Sequence, residues 1–268
     1  MVWLGVYPSL ELYPVANMPE ILNECSGIVA SSDSTFWMMN DSGNSNELFL
    51  VDRNGSIIES KRIRSSKNHD WEELCSDVDG NVYIGDFGDN YQIRDDYTIY
   101  KVENENLNSD SPVINSSIIK FKYSTNRSYD AEAMIHFRGA IYIFTKNRED
   151  KFDGICNIFK LHENDSIAKY KGQIKMPSLN RELYWVTAAS ISPDNDKLAL
   201  LSSDKLYLIT NFVGDKFHEG DMKIIGLETS TQKEAIEFIS NTELIITDEF
   251  NFNLGGNMYY VDLSEIKL

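Results

Sequence analysis

Five short clusters of acidic or small residues, each running into an apolar β-type run, constrain this chain more than any other feature. They read ECSGIV at 24–29, DWEEL at 70–74, DAEAM at 130–134, VTAAS at 186–190 and QKEAI at 232–236. Each is followed by a second apolar run that ends in polar residues: FWMMND at 36–41, VYIGD at 82–86, IYIFTK at 141–146, LALLS at 198–202 and LIITD at 244–248. With Ser26, Glu72, Glu132, Ala188 and Glu234 taken as equivalent, the repeats are spaced 46, 60, 56 and 46 residues apart. From the equivalent residue to the end of the second run is 14 residues in four repeats and 15 in the first. A recurring unit of this length is the mark of a repeat architecture, in which each unit buries its faces against its neighbours.

The runs are rich in β-branched and aromatic residues and are separated by turn residues such as Asp52-Arg53-Asn54-Gly55 and Asp79-Gly80, which identifies them as strands joined in hairpins. A third strand follows in every unit, for example ELFLV at 47–51 and MYYV at 258–261, and a fourth is readable in the first four, for example at 56–63 and 117–123. The fifth unit runs out after its third strand. The expectation is therefore an all-β chain, a single β-propeller domain over residues 1–268. It has five four-stranded antiparallel blades, and the N-terminal segment at 10–13 supplies the missing strand and closes the ring. Six blades is the alternative. A two-sheet sandwich does not account for the fixed spacing.

Charge narrows the partners. Against 25 Lys and Arg stand 42 Asp and Glu, a net charge of −17, so nucleic acid and an anionic membrane surface are excluded as partners of most of this surface, and a cation, a cationic ligand or a basic protein is favoured. The three cysteines, Cys25, Cys75 and Cys156, form no C-x-x-C pair and are expected to be reduced and buried. The apolar start at 2–6 is too short for a signal-peptide core, and no 18-residue apolar span occurs. A monomer is expected, either cytoplasmic or secreted after removal of a signal peptide.

In a propeller the start of each first strand and the end of each second meet on one face. That placement gathers Glu24, Glu72, Asp86, Glu132, Glu234 and Asp248 as candidate metal ligands, with Asp70 and Asp130 on the same side of their strands as the glutamates. Carboxylates at that density raise one another's pKa or take up a cation, and calcium, which accepts about 6–8 oxygen ligands in tolerant geometry, suits them. Four histidines without an H-E-x-x-H offer no zinc ligand set. The loop IGDFGDNY at 84–91 and the segment NDSGN at 40–44 put Asn40, Asp41, Asp89, Asn90 and Arg94 forward as ligand-binding residues, joined by Arg148 from TKNR at 145–148. Capping of turns by Asp and Asn competes with that reading at each position. Catalytic candidates are Glu72, His69 and Lys146, the last equally readable as an ion-pair partner of Glu132 or Asp130. Trp71 and Trp185 read as blade packing. The fourth repeat lacks the acidic pair, so the site is expected to be lopsided.

The set E-x-S-G-I, N-D-S-G-N, D-W-E-E-L, Y-I-G-D-F-G-D-N with a following Arg, D-x-E-A-M, T-K-N-R and E-A-I resembles a bacterial β-propeller family similar to the SdiA-regulated and esterase-like phytase domain proteins, and more distantly the gluconolactonase and senescence-marker group. The resemblance spans 24–261. It implies a divalent ion in the channel held by a strand-initial Glu, matched by Glu24 or Glu72, with Asp86 or Asp248 among the other ligands. Two functions remain open: a propeller that holds a divalent cation and recognises a small ligand or a protein or peptide on its top face, or a calcium-dependent hydrolase of a lactone, ester or phosphoester. No G-x-S-x-G elbow, Cys–His arrangement or P-loop is present.

Overall fold

The computed structural model describes residues 7–148, 153–177, 181–229 and 231–266. The apolar start at 2–6 lies outside them. The regular structure of the described chain is almost wholly strands, in four sheets of five, five, eight and four strands, within which antiparallel units of four strands follow one another in sequence order. The first comprises Cys25–Ser32, Thr35–Asn40, Glu47–Asp52 and Ile57–Ile63. The second comprises Trp71–Ser76, Val82–Asp86, Tyr97–Val102 and Ser117–Tyr123. The third holds Ala131–Phe137, Ala140–Thr145, Ile155–Leu161 and Ile167–Lys175, and the fourth Ala188–Ile191, Leu198–Ser202, Lys205–Thr210 and Asp221–Leu227. In the fifth, Lys233–Phe238, Glu243–Asp248 and Asn257–Asp262 are completed by a strand from the other end of the chain.

That strand is Pro14–Asn17, antiparallel to Asn257–Asp262, and not 10–13 as the sequence suggested. Leu10 instead pairs parallel with Leu227 on the outer edge of the fourth unit. The difference has a packing cause: Leu12 is buried in the apolar layer between units four and five, so the chain crosses that seam before Ala16 enters the fifth sheet. At the outer edges of units two and three, Lys122 and Tyr123 pair in parallel with Ile167 and Ala168, joining the two units into one eight-stranded sheet. Such a join covers edges that would otherwise be open to pairing with another chain.

Burial follows from this arrangement. Five apolar clusters form the core, and each lies between two consecutive units; the one holding Cys25, Ile28, Phe36, Ala235 and Met258 lies between the fifth and the first. The three cysteines are free and buried. Each sheet therefore buries both faces, which is why its inner strands read as near-continuous apolar runs rather than as alternating ones. The first strands contact one another in the order one, two, three, four, five and back to one.

Along the inside of these first strands a buried glutamate, Glu73, and a half-buried one, Glu237, bond to the backbone of other units. Glu237 accepts hydrogen bonds from Ala30 N–H and Ser190 Oγ, and Glu73 accepts from Leu74 N–H and Ala189 N–H. Innermost strands have no further strand beside them, so their free N–H groups need acceptors, and these carboxylates supply them.

Candidate functional site

The register of each hairpin sets the site. In four units the first strand carries one extra residue opposite a single partner: Ser26 between the pairs Cys25–Asn40 and Gly27–Met39, Glu72 between Trp71–Asp86 and Glu73–Gly85, Glu132 between Ala131–Thr145 and Ala133–Phe144, and Glu234 between Lys233–Asp248 and Ala235–Thr247. Such a bulge re-aims one side chain out of the alternating pattern. In the fourth unit Ala188 and Thr187 both face Leu201, the latter through its N–H at 3.0 Å. The residue equivalent to Glu72 is thus Thr187, one position earlier than the sequence spacing indicated, and Ala188 belongs to the apolar core. The spacing misleads because the segment between the two strands differs by a residue among units.

All five of these residues line one cavity of about 470 Å³, where Ser26, Glu72, Glu132, Thr187 and Glu234 form an inner ring. A second ring comes from the residue just beyond the second strand: Asp41, Lys146, Ser203 and Glu249. In the second unit that place is taken by Phe87, which is buried in the core. Asn90, Arg148, Trp185, Thr231 and Gln232 complete the wall.

The residues one step earlier, at the last pair of each hairpin, turn away from the cavity and close the sheet. Asn40 donates to Ile21 O, Thr145 Oγ1 accepts from Asn157 N–H, and Ser202 Oγ donates to Leu183 O. Asp86 pairs with Arg94 at 3.1 Å. Asp248 accepts from Asn257 N–H and from the hydroxyls of Tyr259 and Thr231. Of the six metal candidates, then, the structure brings Glu72, Glu132 and Glu234 together at the cavity. Asp86 and Asp248 are held by their own sheets, and Glu24 is exposed and bonded to Asn44. Among the ligand-binding candidates, Asp41, Asn90 and Arg148 line the cavity. Asp89 instead accepts from Ile93 N–H, Arg94 N–H and Tyr97 OH and so fixes its own loop. His69 lines a neighbouring cleft of about 550 Å³ with Asp70 and Arg94. Trp185 lines the cavity and does not merely pack between blades. Thr187, Ser203, Thr231, Gln232 and Glu249 were not singled out in the sequence. A shared position just past the second strand is the signal that would have found Glu249.

Electrostatically the cavity has two halves. In the third unit the carboxylates are matched: Lys146 pairs with Glu132, and Arg148 pairs with Asp130 and Glu132 and bonds to Asn90. Both cations lie over the ring of Trp185, at 5.1 and 4.4 Å, a placement worth about 0.5–2 kcal/mol each. Burial pulls the Lys146 ammonium down, but Glu132 and Glu234 outweigh it and raise its pKa above the ordinary value, in keeping with its ion pair to Glu132.

On the side of units one and two the charges are unmatched. Carboxylate oxygens of Asp41, Asp70 and Glu72 lie within 4.8 Å of one another, and a second trio, Glu72, Asp130 and Glu132, shares Glu72. Glu72 is only 6% exposed. Burial, then Glu132, Asp41 and Asp70, push its pKa well above the ordinary range. Among the described residues it has no hydrogen-bond donor and no salt bridge. Burial and then Asp41 push Asp70 up to about 6. Burial pushes Glu234 up to about 7, and burial followed by Asp41, Glu24 and Glu132 pushes Glu249 up to about 8. Gly88 leaves room for the trio, since a Cβ there would run into Glu72 Oε1 and the Asp70 carboxylate.

No protein-family profile matches the sequence, and no curated protein matches it. Solved structures do resemble the fold. A chain of a nidogen/laminin complex is 14% identical, with a TM-score of 0.51, covering 90% of this chain and 76% of that one. The PQQ-bound aldose sugar dehydrogenase from Streptomyces coelicolor is 8% identical, with a TM-score of 0.56, covering 93% and 96%. Both are β-propellers, and at such identities the likeness concerns fold alone. The chain has a β-propeller fold, and no helix among its described residues is long and apolar enough to cross a membrane.

Proposed function

We propose that the protein is a five-bladed propeller, closed through its N-terminal strand, whose top-face cavity takes up a divalent cation and recognises a ligand around it. Calcium is the favoured ion, with Glu72, Asp41 and Asp70 as its carboxylate ligands and the matched pairs of the third unit forming the far wall. The observation that carries this reading is Glu72: a buried carboxylate without a donor, set within reach of two more acidic oxygens. Leaving such a group charged and unpaired is costly, and a hard cation offsets that cost. Calorimetry and native mass spectrometry with calcium, magnesium and manganese test it. One bound calcium, lost in Glu72→Gln, is expected; no binding of any of the three overturns it.

A second reading, a metal-assisted hydrolase of a lactone, ester or phosphoester, draws support from Glu249, whose raised pKa keeps a proton on a carboxyl in the same cavity. A protonated acid beside a metal is a combination that general acid catalysis uses. Calcium-dependent turnover on a panel of those substrates, lost in Glu249→Gln, would establish it; absence of turnover across the panel would remove it.

A further inference from the structure

Two loops flanking the cavity expose apolar side chains that the fold does not use. In the second unit, the loop that places Asn90 in the cavity wall carries Tyr91, 85% exposed, and Ile93, which line the neighbouring cleft on the far side of Asn90. In the fifth, the loop that begins at Glu249 carries Phe250, Phe252 and Leu254, with Phe252 90% exposed. Phe250 N–H donates to Asn23 O, which brings exposed Ile21 to the same rim. Phe252 and Asn253 form the two-residue turn between the bridged Asn251 and Leu254, with φ of 51° and 65°. That conformation favours Asn or Gly, and a bulky aromatic there adds strain while burying nothing. Gln92, at φ 54°, holds the same region of backbone at the tip of the other loop. Large apolar side chains displayed on constrained turns at both sides of one mouth form the rim of an interface, not part of a core.

The charge between the two loops determines what they receive. The mouth holds Asp41, Glu72, Glu132, Glu234 and Glu249 against Lys146 and Arg148, an excess of acidic groups on a chain of net charge −17. A second copy would bring a like-charged mouth, and an anionic lipid surface would be repelled. A cationic side chain between apolar neighbours complements both features. We infer that the top face docks a protein partner through an exposed segment in which a Lys or Arg enters the acidic cavity while flanking aliphatic or aromatic residues pack on the Tyr91–Ile93 and Phe250–Leu254 loops. This rests on the reading of the cavity as a cation receptor, and it makes the partner's cation and calcium compete for one place.

The test uses the full chain and a library of heptapeptides with Arg or Lys fixed at the centre and flanks randomised, against a matched library with Glu at the centre. Enrichment of Arg or Lys peptides with Leu, Phe, Met or Ile flanks is expected, with about tenfold weaker binding of the selected peptide in saturating calcium and in Phe252→Ser or Tyr91→Ser. These exposed-loop variants should keep the melting temperature and the calcium affinity of the parent, so loss of peptide with retained calcium separates this inference from the cation site itself. Equal recovery from the Glu library, no enrichment from either, or peptide binding indifferent to both loop variants overturns it. So does flotation with phosphatidylcholine vesicles, or concentration-dependent dimerisation in sedimentation velocity that Phe252→Ser abolishes, since each names a different occupant of the rim. Calcium binding without any peptide enrichment leaves the cation site standing and removes the docking inference; failure of both removes both.

Discussion

The Glu73 carboxylate, fully buried in the second unit, accepts a hydrogen bond at 2.9 Å from the backbone N–H of Ala189 in the fourth, a unit that is not its neighbour in the order of packing. A side chain that links non-adjacent units must reach across the space their first strands enclose. It does so in a form for which burial is the dominant influence, raising its pKa well above the ordinary value.

Glu73→Ala removes that acceptor from two buried N–H groups, those of Leu74 and Ala189. Each orphaned donor costs about 1–3 kcal/mol, so for the two a loss of about 2–6 kcal/mol is expected. Denaturant unfolding should show it as a lower midpoint with an unchanged slope. Glu73→Gln, which keeps one acceptor oxygen, should lose about half as much.

Stability should fall as pH rises without metal. Glu234 at about 7, Glu237 at about 7, Glu249 at about 8 and Asp70 at about 6 all titrate above their unfolded values. The folded chain therefore binds protons more tightly than the unfolded one, and the stabilisation is complete below about pH 4 and is lost as pH climbs through 6 to 8. Melting temperature measured in chelator from pH 5 to pH 8 should drop by several degrees, as about 1 kcal/mol corresponds to about 2–4 °C in a chain this long. Saturating calcium should flatten the slope.

Glu72→Gln has an expected sign that a purely structural glutamate would not share. Removing a buried carboxyl whose charged form has only like-charged company in its trio should raise the metal-free melting temperature at high pH, while abolishing the calcium-induced gain, which for the parent is about 2.7 kcal/mol at a hundredfold excess over Kd. Scanning calorimetry with and without calcium reads both effects.

The hairpin registers are checked by a pair of neighbouring substitutions in the fourth unit. Thr187 lines the cavity whereas Ala188 is buried among Leu201, Leu206 and Ile236. Thr187→Glu should fold and bind calcium at least as tightly as the parent; Ala188→Glu places an unpaired charge in the core and should yield little folded protein. Circular dichroism and calcium calorimetry on the two variants decide.

Lys146→Met leaves Glu132 buried with only Arg148 as partner, and a destabilisation of about 3–5 kcal/mol is expected. The double variant Lys146→Met/Glu132→Gln should recover most of it. A double-mutant cycle by chemical denaturation measures the coupling.

The repeat could be read from the chain because both faces of every sheet are buried, so the apolar runs are dense and their spacing is nearly constant. What the spacing does not encode is the bulge. Hairpin turns of different length hide a one-residue slip, which is why Thr187 and not Ala188 occupies the place of Glu72, and Asn40 and not Asp41 the place of Asp86. The glutamates were found because Glu is unusual at the start of an apolar strand. Asp86 and Asp248 carry the same residue type at the same hairpin position, yet their own sheets supply Arg94, Tyr259 and Asn257 as partners, and such partners, distant or across a loop, leave no local trace. Glu249 and Trp185 lie in connections, where no period marks them.

The fifth sheet draws one strand from residues 14–17 and the others from residues 233–262. During synthesis the strand at 14–17 must therefore wait, unpartnered, until residues 257–262 have left the ribosome. Until then the fifth sheet is one strand short, and the cavity that it helps to wall is incomplete. A chain cut after residue 256 would lose that partner strand and leave Pro14–Asn17 unpaired, however sound the sheets before it.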